Sequence, residues 1–284
     1  LSAPVQGEAG GRGVWGEFRP PSPAISVRIF SNRHRHARIT QHIMAELTVA
    51  SWNILLDGNY PQEARIEDII GTLKEVNRTH ALGALGIMEA QGTPLGHSGK
   101  MIAQSLFGND GDWKLHSRKG HKEHIGMAGP AVDGVEFFDI GYSKCAAIVQ
   151  VEDITVATVH LRKKQGSEQN QQAEALLERL ADEPRVVIMG DFNGERLQAP
   201  RRMIGRQGYT SAFKEAGVRR QRTVPTKEFI GMPSRLERLG MFVIRGGVNV
   251  DDIYVKGVQV KGAGYFEGRS DNLGLWATVE STAA

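Results

Sequence analysis

The sequence predicts one large α/β domain built on mixed β-sheets. The 284 residues include 40% hydrophobic ones, which is enough for a substantial core. From residue 47 onward, short apolar runs alternate with segments of helical periodicity. Residues 134–161 read as three strands in close succession, and such a meander indicates antiparallel pairs within an otherwise alternating pattern.

The spacing of apolar residues predicts where the helices lie. Residues 61–77 form the first predicted helix and residues 94–107 the second. Residues 167–181 form a third, whose apolar positions share one face: Ala173, Leu176, Leu177 and Leu180. Turns are predicted in the meander near residues 141–142 and 152–153. Residues 194–246 are less regular, and we expect them to form long loops over a cleft, with short helices.

The first 44 residues differ from the rest of the chain. They are rich in Gly, Pro, Ser and Arg and show no sustained periodicity, which predicts a disordered N-terminal extension. The first methionine is Met44, so our hypothesis is that residues 1–43 are an upstream extension, a consequence of a misassigned start, or an addition that is not native. The folded domain is expected to span residues 46–281.

The composition excludes two kinds of site and weakens the argument for a polyanionic partner. Cys145 is the only cysteine, which excludes an intramolecular disulfide framework and a thiolate zinc cluster. No apolar run is long enough to span a membrane, so we expect a soluble protein. The single cysteine is typical of the reducing cytoplasm, where we expect the protein to act. Residues 1–45 carry six arginines against two glutamates, a net charge of +4. Subtracting this from the +3 of the whole chain leaves −1 for residues 46–284, so only local basic clusters favour a polyanionic partner.

Polar motifs lie at six places along the chain, and four of them end an apolar strand. The most informative is residues 185–193, where four apolar residues lead into Gly-Asp-Phe-Asn. The other strand-end motifs are Trp-Asn at 52–53, Glu89 and His160, and the two later motifs contain Asp251 and Ser-Asp-Asn at 270–272. Each motif alone is an ordinary strand-to-turn transition. A strand end is a rigid support, however, so together they favour a cleft in which oxygen donors face a metal ion or a phosphate.

This succession of motifs resembles the endonuclease/exonuclease/phosphatase superfamily, which includes DNase I-like nucleases, abasic-site endonucleases, deadenylases and tyrosyl-DNA phosphodiesterases. The resemblance covers roughly residues 46–281, and Gly-Asp-Phe-Asn is its most specific part. It implies a four-layer α/β sandwich, in which two mixed β-sheets pack face to face and helices cover the outer sides. It also implies phosphodiester hydrolysis that depends on Mg²⁺, with Mn²⁺ as the substitute.

The resemblance assigns roles to the motif residues. The expected metal ligands are Glu89, Asn53 and Asp271. The expected catalytic residues are His160, Asp191, Asn193, Asp251 and Asn272. Among these, His160 would bind the scissile phosphate, Asp191 would position or activate water, and Asn193 would donate to a phosphate oxygen. Read alone, His160 is more typical of a structural histidine and Glu89 of a surface charge.

Two further assignments rest on local patterns. Asp251 is preferred to Asp252 because the apolar-Asp-x-Ile pattern around it matches the family motif. Basic clusters lie at residues 162–164, 201–206 and 219–222. From them we expect Arg162, Lys163 and Arg201 to contact the substrate, although a solvated charge run is the ordinary interpretation of such clusters.

One position departs from the family pattern. The last family motif is Ser-Asp-His, whereas this chain has Asn272 in place of the histidine and no histidine after His160. In the family, an aspartate at the position of Asp251 orients that histidine. An asparagine amide donates hydrogen bonds but neither accepts a proton nor carries charge in this pH range. We therefore expect slow turnover unless His160 or Asp252 compensates.

The leading hypothesis is a Mg²⁺-dependent phosphodiesterase that acts on nucleic acid, as a nuclease or an end-processing enzyme. The alternative is a phosphate- or nucleic-acid-binding protein that keeps the fold and has lost catalysis through Asn272. A third hypothesis is that Asn272 was introduced by engineering. In each case we expect a monomer that acts away from membranes.

Overall fold

The computed structural model describes residues 46–55, 62–90, 92–93, 96–109, 111–118, 121–162, 166–194, 199–224 and 249–282. The predicted N-terminal extension lies outside the described residues, as do residues 195–198 and 225–246 of the predicted loop region. The strands are β1 (Glu46–Asn53), β2 (Ala84–Met88), β3 (Gly92–Thr93), β4 (Gly96–His97), β5 (Asp112–Arg118), β6 (His121–Ala128), β7 (Glu136–Gly141), β8 (Lys144–Val151), β9 (Ile154–His160), β10 (Val186–Asp191), β11 (Thr210–Ser211), β12 (Asp251–Lys256), β13 (Val258–Phe266) and β14 (Gly274–Ser281). The helices are α1 (Gln62–His80), α2 (Ser98–Phe107), α3 (Ser167–Arg179), α4 (Ala199–Arg206) and α5 (Ala212–Glu215).

Most strands pair into two mixed six-stranded sheets. Sheet 1 has the order β13-β14-β1-β2-β6-β5, and sheet 2 has the order β11-β12-β10-β9-β8-β7. Each sheet contains a parallel pair, β1 with β2 in sheet 1 and β9 with β10 in sheet 2. The meander predicted over residues 134–161 is confirmed as the antiparallel strands β7, β8 and β9.

The sheets pack face to face, with helices on their outer sides. One apolar cluster fills the space between the sheets and includes Val49 and Met88 from sheet 1 and Val187 and Ile253 from sheet 2. A second cluster packs α1 and α2 on the outer face of sheet 1, and a third packs α3 and α4 on that of sheet 2. The expected four-layer α/β sandwich is therefore confirmed. The strands of both parallel pairs are covered on both faces of their sheets, which agrees with their nearly continuous apolar sequences.

The predicted helices are present, with one boundary clearly wrong. The helix expected from residue 94 begins at Ser98, because residues 92–93 and 96–97 form the short antiparallel pair β3 and β4. His97 caps the helix by accepting a hydrogen bond from the Lys100 backbone N–H at 3.4 Å. Helix α1 continues to His80, three residues past the predicted end, and α3 ends at Arg179. Among the described helices, none is both long and apolar enough to cross a membrane.

Gly190 shows why the strand-end motif of β10 begins with glycine. Its φ is +139°, a region that residues with a side chain rarely adopt. A Cβ atom here would also overlap the carbonyl oxygen of Val159 on the neighbouring strand. Glycine at this position lets β10 stay in register with β9 as far as Asp191.

We expect Gly190→Ala to reduce the free energy of unfolding by about 3 kcal/mol, because backbone strain and a backbone clash both oppose the new methyl group. Gly71→Ala is the matched control, since Gly71 lies within α1 with no atom near its added Cβ. That control should stabilise the fold by up to about 1 kcal/mol. Urea denaturation midpoints would measure both changes, and an unchanged midpoint for Gly190→Ala would contradict the described backbone.

Candidate active site

Three polar motif residues of sheet 2 lie side by side at one end of the sandwich. Asp191 ends β10 and pairs in register with His160, which ends the parallel strand β9. On its other side Asp191 pairs with Asp251, which begins the antiparallel strand β12. Since adjacent strands lie about 4.8 Å apart, this register alone groups the three side chains. All three residues are buried.

Sheet 1 supplies further motif residues close to this group. Asn53 ends β1 and pairs with Met88 of the parallel strand β2, so Glu89 follows directly beside it. Asn272 precedes β14, the antiparallel partner of β1. The buried Trp52 indole fixes this segment by donating to the Asn272 carbonyl oxygen at 2.9 Å.

The groups from the two sheets meet at the Asp191 carboxylate. Asn53 Nδ2 lies 3.1 Å from Asp191 Oδ2 and 3.2 Å from Glu89 Oε1, so the amide bridges the two acids. Asn272 Nδ2 lies 3.4 Å from the same Asp191 oxygen. His160 Nε2 faces the two acids as well, at 3.8 Å from Glu89 Oε1 and 3.8 Å from Asp191 Oδ2. Residues that are distant along the chain thus form one connected polar cluster.

Asp251 and Asn272 form the innermost pair of this cluster. Asn272 Nδ2 donates to Asp251 Oδ2 at 2.9 Å and lies 3.2 Å from Asp251 Oδ1. The Thr223 hydroxyl oxygen accepts from the Asp251 backbone N–H at 3.2 Å and fixes the start of β12. The Asn272 amide nitrogen therefore donates to carboxylates of the cluster.

Asp252 does not face this cluster. Its carboxylate pairs with Arg201 at 2.6 Å and with Arg220 at 2.5 Å, and it also accepts from the Ser211 hydroxyl at 2.8 Å. Asp252 is therefore fully engaged and is not placed to replace the missing histidine.

The position of Arg201 does not support its expected contact with substrate. Arg201 is buried, and its guanidinium group hydrogen-bonds to the Asp252 carboxylate and the Tyr254 hydroxyl. Arg162 is partly exposed and lies two residues after His160, but it forms an ion pair with Glu168 at 2.8 Å. Substrate would have to compete with that glutamate. Lys163 lies outside the described residues.

Asn193 is held by two backbone contacts. Its N–H donates to Asp191 Oδ1 at 2.7 Å, and its Nδ2 donates to the Leu161 carbonyl oxygen at 2.7 Å. Its φ of +47° is one that asparagine tolerates better than most residues. One of its two amide hydrogens is therefore used to hold the strand ends together, which limits the phosphate contact expected from the sequence.

Negative charge accumulates at this end of the sandwich. Burial and the nearby carboxylates of Glu89 and Asp191 raise the pKa of Asp271 to about 7, against the opposing effect of Arg65. Burial and the charge of Asp191 likewise raise the pKa of Asp251 well above its ordinary value. A bound cation would offset this repulsion between acids.

The donor chemistry of this cluster suits Mg²⁺. Among the described residues, no three His, Cys, Asp or Glu side chains are arranged as a metal-binding group. Mg²⁺ nevertheless binds through one or two carboxylates and keeps several waters. Glu89 and Asp271 are the carboxylates available for this. Asn53 is less suited than expected, because its Oδ1 already accepts from the Leu55 N–H at 3.1 Å.

Several further residues support the site although the sequence did not predict them. Gln169 on α3 donates to the carbonyl oxygens of Arg162 at 2.6 Å and Asn193 at 3.1 Å, joining two motif segments. The Thr223 hydroxyl accepts from backbone N–H groups at the start of β12, and the buried Arg65 donates to backbone carbonyl oxygens that follow β1. Their partners lie between 7 and 204 residues away along the chain, so no local sequence pattern predicts these contacts.

Comparison with known proteins identifies the fold. Neither a protein-family model nor a curated protein sequence matches this chain. Among solved structures, an endonuclease/exonuclease/phosphatase protein from Bacteroides vulgatus has a TM-score of 0.61 at 15% identity, covering 84% of this chain and 100% of its own. A mannosyl-6-phosphatase from Bacteroides thetaiotaomicron has a TM-score of 0.59 at 15% identity, with coverages of 82% and 99%. TDP2 from D. rerio, complexed with a single-strand DNA product, has a TM-score of 0.54 at 16% identity, with coverages of 83% and 99%. At these identities the similarity establishes the fold alone.

Proposed function

We propose that this chain, which has the endonuclease/exonuclease/phosphatase fold, is a Mg²⁺-dependent phosphodiesterase that acts on nucleic acid. The observation that carries the proposal is the convergence at Asp191 Oδ2. There the side-chain nitrogens of Asn53 and Asn272 lie within 3.4 Å and that of His160 within 3.8 Å, and Glu89 joins the cluster through its contact with the Asn53 amide. A merely structural strand end has no need of such a cluster of buried acids, amides and imidazole.

Each residue then has a part in hydrolysis. Glu89 and Asp271 would hold the divalent cation, which when bound neutralises charge on the phosphate and the leaving group. The Asp191 carboxylate, held by Asn53, would accept a hydrogen bond from the attacking water and orient it. His160 in its protonated form would stabilise negative charge on the phosphate. The Asp251–Asn272 pair would keep the wall of the cleft in place without moving a proton.

Nucleic acid is supported by the surface near the site. Arg222 is exposed and directly precedes Thr223, whose hydroxyl accepts from the Val250 and Asp251 N–H groups. Arg219 is also exposed, and Arg162 follows His160. Cations placed beside a phosphate-binding cleft attract the backbone of a polyanion. The structural similarity to TDP2 with bound single-strand DNA product is consistent with this substrate class.

A binding protein that has lost catalysis is the second candidate, favoured by one observation. The amide nitrogen of Asn272 contacts Asp251 and Asp191, so position 272 provides no acid or base.

The test is hydrolysis of four substrates by the chain as given: single-stranded DNA, RNA, bis(p-nitrophenyl) phosphate and p-nitrophenyl phosphate. We expect slow, Mg²⁺-dependent cleavage of the diesters, with loss of activity when a chelator removes the metal. Activity toward the monoester alone, or activity that the chelator leaves intact, would contradict the proposal. Tight oligonucleotide binding with no cleavage would favour the second candidate.

A further inference from the structure

Two arginines are buried beside the site, one in each half of the sandwich. Arg65 lies on α1, which packs on sheet 1, and Arg201 lies on α4, which packs on sheet 2. Their exposed fractions are 7% and 3%. Arginine is almost never so buried unless its donors are engaged, so the partners of each guanidinium indicate its role.

The Arg201 guanidinium joins two motif segments of sheet 2. Nη1 donates to the carbonyl oxygen of Gly194 at 3.1 Å and to that of Asn249 at 2.6 Å. Nη2 lies 3.3 Å from the Asp251 carbonyl oxygen and 2.6 Å from the Asp252 carboxylate. One side chain thus ties the segment that follows Gly-Asp-Phe-Asn to the segment that carries Asp251.

The orientation of Arg201 is itself fixed from several sides. Nε donates to the Tyr254 hydroxyl at 2.9 Å. The guanidinium carbon lies 5.6 Å from the Phe192 ring centroid and 5.8 Å from that of Tyr254, within the range of cation–π attraction. Asp252 supplies the opposite charge. The group has little freedom to move without losing several contacts together.

Arg65 makes the corresponding connection in sheet 1. Nη2 donates to the Ile54 carbonyl oxygen at 2.8 Å and Nη1 to that of Leu55 at 2.6 Å. These two residues directly follow Asn53. Nε donates to the Arg269 carbonyl oxygen at 2.7 Å, in the segment that leads into Asp271. Arg65 therefore ties the end of β1 to the Ser-Asp-Asn motif.

We propose that Arg65 and Arg201 are positioning residues, each of which sets the distance between polar groups from two distant motifs on its own half of the site. Planar guanidinium groups suit this role, because their fork of donors reaches several carbonyl oxygens at fixed angles, whereas lysine presents a single rotating ammonium group. The kinetic consequence rests on the proposed phosphodiesterase function, but the structural consequence does not.

Amide hydrogen exchange in the full chain tests the structural part. We expect Arg201→Lys to accelerate exchange roughly tenfold or more at residues 190–194 and 249–252, with residues 53–55 and 269–272 unchanged. Arg65→Lys should produce the reverse pattern. If either variant accelerates exchange evenly across the fold, or nowhere, the positioning role is wrong.

Kinetics with the Mg²⁺-loaded chain test the functional part. Displacement of a reacting group by about 1 Å can cost about 10²-fold in rate, so kcat should fall by that order in each lysine variant while KM changes little. Arg185→Lys is the matched control, because Arg185 donates to the Thr282 carbonyl oxygen and pairs with Asp153 near the opposite end of β10. It should leave kcat and the exchange of all four segments unchanged.

Methionine replacements at positions 65 and 201 extend the test. If these variants fold, their kcat should fall further than that of the lysine variants. A fall in kcat that follows thermal stability across all variants, Arg185→Lys included, would overturn the proposal. If the exchange patterns are as expected but no variant and no parent chain hydrolyses a phosphodiester, the proposed function fails while the positioning role stands.

Discussion

Asn272→His is expected to raise the rate of Mg²⁺-dependent phosphodiester hydrolysis by about 10²–10⁴-fold, the usual contribution of a general acid–base group. In the structure, Asn272 Nδ2 lies 2.9 Å from Asp251 Oδ2. A histidine here would donate one ring N–H to that carboxylate and keep its other nitrogen for the reaction. Asp251 is buried and already in place, so the partner that such a histidine needs is present.

Asn272→Gln is the control for this gain, since it keeps an amide and enlarges the side chain without adding a titratable group. We expect its rate to remain at or below that of the parent chain. Because position 272 is only 3% exposed, thermal melting of each variant must show that the larger side chain is accommodated. Equal rates for histidine and asparagine at this position would mean that residue 272 has no acid–base role.

Glu89→Gln is expected to lower the rate of hydrolysis by at least about 10²-fold at ordinary Mg²⁺ concentrations, since it removes a hard anionic ligand with little change of shape. The Asn53 Nδ2 contact at 3.2 Å can persist to the glutamine oxygen, so the cluster should stay folded. Glu75→Gln is the matched control on α1, where the exposed Glu75 pairs with Arg78. Its rate should equal that of the parent chain.

The elements that position the site follow from local sequence. Apolar runs define β9 and β10, and the polar residue after each run marks the end of the strand. The ends of parallel strands meet at one edge of a sheet, so His160 and Asp191 become neighbours once β9 and β10 pair. The glycine of Gly-Asp-Phe-Asn also indicates an unusual backbone conformation, and the φ found at position 190 is one that residues with a side chain rarely adopt.

The interior charges could not be predicted in the same way. The cluster at residues 201–206 has the composition of a solvated surface, and the burial of Arg201 depends on Asp252 and Tyr254, about fifty residues later. Periodicity offers a partial signal, since Arg201 and Ile204 share one face of α4 and both are buried. The contact of Asp252 with two arginines is likewise a product of tertiary packing. It rules out the compensating role considered for Asp252 from sequence.

The central claim is that polar groups from six separate motifs form one cluster, in which Glu89 and Asp271 bind a divalent cation. Calorimetric titration of Mn²⁺ into the metal-free chain and into its Glu89→Gln variant tests this most directly. We expect saturable binding by the parent chain and an affinity at least about tenfold weaker in the variant, with Glu75→Gln unchanged. Equal binding by the parent and Glu89→Gln chains, or no saturable binding by either, would contradict the account.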